Sequence, residues 1–317
     1  MRFCLIGPSG ALIPPSGWGA VESLIWDYFS VLKKEGHQAL ILNCDICEMV
    51  NRCDSYKPDV VHIMYDDYAY LSEHIACPRI YFMSHFAYIT SPRLTTDFHW
   101  YFDTIFMQAI RCQKSLTLNV LSEEIANVYR GHGYVGKIHV IHNGAREDTF
   151  MFSTQPKYAD QSIYIGKIET RKRQYQYQSI PNIKFAGNYQ DSDFDQSNPN
   201  YLGEWTKIQL YETLTEYGNL VLLSDGEADP LVVKEALMAG LGVVVSECAC
   251  ANLDTSKDFI TIIPDDKLFD MTYVAKEIDK NRKVSKSNRM AIREYALSTF
   301  SWDVVVNKFL TAIESDV

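Results

Sequence analysis

Two glutamates, Glu227 and Glu235, stand eight positions apart in the segment Ser224-Asp225-Gly226-Glu227-Ala228-Asp229-Pro230-Leu231-Val232-Val233-Lys234-Glu235-Ala236-Leu237. One falls in a loop and the other about one turn into a helix, so both can reach the same ligand. Asp229 suits the helix N-cap, and Pro230 suits the first helical position, where its missing N–H costs nothing. The apolar run Asn219 to Leu223 just before reads as a buried strand. Strand, short loop and helix N-terminus together aim free backbone N–H groups, here those near Leu231 and Val232, at an anion. Open α/β sheets hold phosphates in this way. Upstream, Gly166-Lys167-Ile168-Glu169-Thr170-Arg171-Lys172-Arg173 follows another strand-like run. Lys167 and Lys172 suit a pyrophosphate as mobile point charges, while Arg171 or Arg173 offers forked donors. The ordinary alternative is a solvated basic turn. In a chain of net charge −10, three successive bases favour the phosphate reading.

Further candidates lie in the first half. Gly17 and Gly19, flanking Trp18, let backbone N–H groups approach a phosphate or sugar, or else serve a turn after Pro14-Pro15. His85 follows the strand-like run Arg79 to Met83, at the end of the strand where α/β sheets bind ligands. His62, within Val60-Val61-His62-Ile63, reads as a core residue. A nicotinamide fingerprint is not supported, because Gly7-Pro8-Ser9-Gly10 lacks the required spacing. Asp191-Ser192-Asp193 matches a short metal motif but stands in a polar loop without supporting residues. Cys44-x-x-Cys47 finds no second pair to complete a tetrahedral zinc site. The eight cysteines are therefore expected to be free thiols in a reducing compartment.

The positioning elements alternate. Strands are expected near Arg2–Ile6, Gln38–Leu42, Asp59–Met64, Arg79–Met83, Thr104–Met107, Leu116–Leu121 and Lys137–Ile141. A second set covers Ser162–Ile165, Ile183–Ala186, Asn219–Leu223, Val243–Ser246 and Phe259–Ile263. Val21, Leu24, Ile25, Tyr28 and Leu32 recur at helical steps, and Gly36 closes that helix. Residues after Phe269 read as helical, and Asn188 to Asn200 as a polar surface loop. This alternation implies parallel sheets with crossover helices. With 317 residues, 47% of them apolar, the chain supports two domains, with a linker at the composition shift Phe152 to Lys157. Forty acids against thirty bases argue against nucleic acid or an anionic membrane as partner. No stretch reaches transmembrane length, so a soluble, cytoplasmic protein is expected.

Taken in order, these segments resemble retaining glycosyltransferases of the GT-B fold, especially glycosyltransferase family four. The resemblance rests on Glu227 with Glu235-Ala236, Gly166 to Gln174, Ile141-His142-Asn143-Gly144, Pro15 to Glu22 and Ser301-Trp302-Asp303. It implies an α/β architecture of two Rossmann-like domains facing a central cleft. Residues 1–152 would form the acceptor side, 153–300 the donor side, and 301–317 a helix crossing back to the first domain. Glu235 would hold the ribose, while Glu227 and His85 would stand at the donor sugar. Lys167, Lys172 and the helix N-terminus would take the leaving diphosphate without a metal or other cofactor. The implied reaction moves a sugar, of the GDP-mannose type first and a UDP-sugar next, to a glycan or glycoprotein acceptor with retention. A monomer or dimer is expected. Compactness and many tyrosines also resemble the glycosyltransferases of large algal viruses. The sequence departs from the family at Ala228-Asp229-Pro230 and at Lys172-Arg173, where an aromatic with glycine and a lysine-glycine pair are usual. Asp229 would lie near the phosphates, weakening donor binding or gripping a sugar hydroxyl. A sugar-nucleotide epimerase and a decayed nucleotide-sugar binding protein are the competing readings.

Overall fold

The computed structural model describes residues 1–85, 88–90 and 99–316. Two compact units emerge, Met1–Asn143 with Val305–Val317, and Gly144–Val304. The units meet in sequence at Asn143-Gly144, upstream of the composition shift at 152–157.

In the first unit, β1 (Arg2–Ile6), β2 (Gln38–Leu42), β3 (Val60–Ile63), β4 (Ile80–Ser84), β5 (Thr117–Val120) and β6 (Ile138–Val140) form a parallel sheet ordered β2-β1-β3-β4-β5-β6. The β1 and β4 interiors are buried on both faces, as a sheet covered by crossover helices requires. The Ala20–Lys34 helix buries Leu24, Ile25, Tyr28, Val31 and Leu32. From Val305 on, the Trp302–Ser315 helix belongs to this unit, and its Phe309 ring stacks on His62 with centroids 4.5 Å apart. Asp316 fastens the end of that segment, accepting from Tyr81 Oη (2.8 Å) and Lys137 Nζ (2.6 Å) and pairing with His139 Nε2 (2.9 Å).

The second unit holds β7 (Tyr158–Ile165), β8 (Ile183–Ala186), β9 (Tyr217–Leu222), β10 (Gly242–Ser246) and β11 (Ile260–Ile263) in a parallel sheet ordered β11-β10-β9-β7-β8. Helices Leu231–Met238, Met271–Ser287 and Arg289–Phe300 follow in this unit. A buried cation ties its core together. Arg289, 2% exposed, donates to the carbonyls of Ser153, Thr215, Tyr217 and Ala239. Both units thus have the α/β, parallel-sheet organisation expected from the alternation of strands and helices.

Three expectations are corrected. Thr104–Met107 is not a strand: Phe102–Phe106 is a π-helical turn continued by the Met107–Arg111 helix. Its β-branched and aromatic residues mimic a strand locally, but burial falls on Tyr101, Phe106, Ala109 and Ile110. The wide turn accommodates the long step from Tyr101 to Phe106, and Phe106 packs 4.4 Å from the Tyr129 ring. The polar stretch after β8 is not all surface, because Phe194 and Asp191 are buried there and Tyr189 bridges Ile168. Finally, the helix after β9 starts at Leu231, with Pro230 in extended backbone at the N-cap and no side-chain cap.

Candidate functional site

Strands β7 and β9 are parallel neighbours, so the loops leaving their C-terminal ends lie side by side. Tyr164 ties them together: its hydroxyl accepts from Leu223 N (2.8 Å) and donates to the Lys172 carbonyl. Arg171 O accepts from Asp225 N at 2.8 Å. At Gly187 a Cβ would stand 1.9 Å from Gly166 O, so only glycine permits this approach beside the first loop.

These backbones converge a charged cluster. Lys172 Nζ donates to Glu227 Oε1 at 2.5 Å, and Arg171 Nη1 lies 3.2 Å from the same oxygen while also donating to Gly226 O. Arg171 Nη2 meets Glu169 Oε1 at 2.6 Å, and Lys167 Nζ stands 3.7 Å from Glu169 Oε2. Arg173 Nη2 pairs with Asp225 Oδ1 at 2.8 Å. Lys167, Arg171, Lys172 and Arg173 thus interleave with Glu169, Asp225 and Glu227. Burial pushes the Glu227 carboxyl up, but Lys172 and Arg171 outweigh it and hold it below its ordinary range. Arg173 adopts the left-handed region (φ 55°) at the position where the resembled motif carries glycine. An L-residue there costs about 1 kcal/mol, and the Arg173 guanidinium meets Asp225.

The helix N-terminus borders the second loop. Leu231 and Val232 are half-buried in its first turn, and Glu235 is half-buried on the same helix. Asp229 is 3% exposed, and its Oδ1 accepts from Lys234 Nζ and from Asn252 Nδ2 (3.0 Å). Lys234 is itself 1% exposed, with its ammonium 5.4 Å from the Phe300 ring centroid. Asp229 thus belongs to a buried ion pair beneath the loop.

In the first unit, His85 follows β4 and its backbone N–H donates to both Asp66 oxygens at 3.2 Å. Asp66 also accepts from Ser84 Oγ (3.3 Å) and Tyr101 Oη (2.7 Å), and Tyr129 Oη donates to Ser84 Oγ (3.0 Å). Burial pushes the His85 imidazole down to about 4, and its buried Nε2 has no hydrogen-bond partner among the described residues. His62, fully buried in the core, is pushed down to about 3 by burial and by His85. Gly19 is the N-cap of the Ala20–Lys34 helix, where a Cβ would meet Glu22 Oε2 at 2.8 Å. A Cβ at Gly17 would meet nothing within 4 Å.

The sequence candidates therefore fall into two sets. Lys167, Arg171, Lys172 and Glu227 meet in the second unit, with Asp229, Pro230, Leu231, Val232 and Glu235 on the adjoining segment. Gly17, Gly19 and His85 lie in the first unit. Sequence reasoning missed Glu169, Asp225, Lys234 and Asp66. The available signal for Asp66 was an Asp-Asp pair following a buried strand, at the strand end where ligands gather.

No protein-family profile matches this sequence, and no curated protein matches it. Solved structures do match in fold across the whole chain. Sucrose-phosphate synthase from Thermosynechococcus elongatus aligns with TM-score 0.77 at 13% identity, covering 99% of this chain and 98% of its own. Anabaena HepE in complex with UDP-glucose aligns at 0.71 and 12% identity, covering 99% and 100%. The lipopolysaccharide outer core galactosyltransferase WaaB aligns at 0.67 and 14% identity, covering 100% of both chains. At these identities the likeness establishes the fold, which is GT-B.

Proposed function

We propose that the chain is a glycosyltransferase that moves a hexose from a nucleoside-diphosphate sugar to an acceptor hydroxyl with retention. The observation that carries this reading is the charged cluster in which Arg171 and Lys172 hold Glu227 and Lys167 stands by Glu169, beside the N-terminus of the Leu231–Met238 helix. As the bond from the anomeric carbon to the diphosphate breaks, negative charge grows on the leaving oxygens. Donors already aimed at that charge supply the largest catalytic effect. Lys172, Arg171 and the first-turn N–H groups fill that role without a resident metal. Glu235 holds the ribose, a positioning task. Glu227, kept anionic by its two cations, stabilises positive character on the sugar ring, and His85 contacts the sugar as a neutral imidazole.

The charge of Asp229 is balanced by Lys234, which argues against a site spoiled by a carboxylate beside the phosphates. HepE was solved with UDP-glucose and WaaB is a galactosyltransferase, so a uridine donor is favoured over GDP-mannose. The acceptor is a glycan or glycoprotein hydroxyl. Eight free cysteines fit a reducing, cytoplasmic setting, and no described helix is long and apolar enough to cross a membrane.

The test is incubation of the full chain with UDP-glucose, UDP-galactose and GDP-mannose, each with and without sugar acceptors. Release of nucleoside diphosphate with a product of unchanged anomeric configuration by NMR is expected. Interconversion of the free nucleotide sugar without acceptor would establish an epimerase instead.

A further inference from the structure

Building on this donor-site reading, we propose that Glu169 sets the affinity of the diphosphate subsite by competing with the ligand for Arg171 and Lys167. Glu169 stands outside the Glu227–Glu235 pair. Its carboxylate takes Arg171 Nη2 at 2.6 Å and lies 3.7 Å from Lys167 Nζ. The other terminal nitrogen of Arg171 serves Gly226 O and Glu227. A diphosphate approaching the Nη2 side of Arg171 therefore competes with the Glu169 carboxylate for a charge-assisted hydrogen bond.

Exposure decides which bond yields. The Glu227 side chain is 10% exposed and held by a second cation, Lys172, whereas the Glu169 side chain is 26% exposed. Solvent takes up the displaced Glu169 carboxylate more readily, because less of its hydration has been surrendered. Lys167, 49% exposed, is free to swing from Glu169 to the ligand. While it remains nearby, the Glu169 charge also repels the phosphates. Glu169 therefore lowers affinity twice, by occupying Arg171 and by its own field, and a weaker grip on the leaving nucleotide speeds its release.

Glu169→Gln keeps the size and an acceptor oxygen for Arg171 while removing the charge. The full chain is titrated calorimetrically with inorganic pyrophosphate, UDP and GDP at low and high salt. Glu212→Gln, an exposed acid on the Lys207–Thr213 helix, controls for net charge. Glu169→Gln is expected to bind pyrophosphate about fivefold tighter at low salt, with the gain shrinking as salt screens it. Glu212→Gln is expected to match the parent. Glu169→Asp, which keeps the charge but shortens the reach to Arg171, falls between and substitutes if the glutamine variant fails to fold. If the parent binds diphosphate and neither variant binds it more tightly, the competition is overturned and the donor site stands. Weaker binding by Glu169→Gln also overturns it, because Glu169 would then hold Arg171 ready for the ligand. If none of these proteins binds any of the three ligands, the donor-site reading falls with it.

Discussion

The two candidate regions solve the problem of fixing a loop at the end of a parallel strand by opposite electrostatics. In the second unit the loops after β7 and β9 are joined by full charges, Lys172 and Arg171 on Glu227 and Arg173 on Asp225. In the first unit, among the described residues, Asp66 collects neutral donors from His85, Ser84 and Tyr101, and His62 and His85 are pushed toward neutrality. A cation cluster suits an anion whose charge grows during reaction. A neutral imidazole suits an uncharged sugar hydroxyl, for which a permanent charge would cost desolvation without return. On the proposed reading, diphosphate handling falls to the second unit, and His85 of the first unit meets the sugar as a neutral group.

Breaking the charged region should have the larger effects. Lys234→Met strands Asp229 in the core, and urea unfolding should register a loss of about 3–5 kcal/mol. The double variant Asp229→Leu with Lys234→Met should recover most of it. A small loss in the single variant would show that Asp229 has other means of neutralisation. Next in size, Glu227→Gln should lower transfer at least about a hundredfold without weakening diphosphate binding, since it releases Lys172 and Arg171. Transfer and binding falling together would remove Glu227 from the reacting sugar.

The neutral region should respond more mildly and at a different pH. His62 and His85 protonate at about 3 and about 4 when folded but near 6.5 when unfolded, so between those values the unfolded chain binds more protons. Stability from this source is complete above about 6.5 and falls as the solution is acidified. The loss should be about 2 kcal/mol between pH 6.5 and 5.5. Glu227, depressed from 4.5, contributes stability that is lost only as pH falls below that value. Hydrogen exchange on the whole chain should show first-unit amides losing protection before those around Glu227, and simultaneous loss would contradict the contrast. The smallest effect is expected for Asp66→Ala, about tenfold in transfer with diphosphate affinity unchanged. Asp66→Asn, which keeps one acceptor oxygen, should restore part of that loss. Equal defects in both variants would mean that Asp66 merely supports the fold.

Much of the fold was legible because burial leaves a periodic trace. Eleven of the twelve expected strands form, and the inner ones are short apolar runs buried on both faces, as at Phe3-Cys4-Leu5-Ile6 and Val243-Val244-Val245, whereas β2 and β6 at the sheet edges stay partly exposed. Thr104–Met107 failed because β-branched and aromatic residues in a π-turn carry the same local composition as a strand. The cluster was partly legible: the bases after β7 and the acids after β9 stand at the ends of strands. Their pairing depends on β7 and β9 being neighbours although β8 intervenes in sequence, which no local pattern records. Asp229 was misjudged for a related reason. An Asp-Pro before an apolar run signals an N-cap, but Lys234 offers a full charge in the core, and that attraction outcompetes a backbone N–H.

The central claim is that the loops after β7 and β9 hold a nucleoside diphosphate. It is tested most directly by calorimetric titration of the intact chain and its Lys172→Ala variant with UDP, GDP and uridine. The account predicts that the parent binds a nucleoside diphosphate far better than uridine, and that Lys172→Ala weakens diphosphate binding roughly thirtyfold, about 2 kcal/mol, leaving uridine unchanged. Equal binding by parent and variant, or no diphosphate binding by the parent, would contradict it.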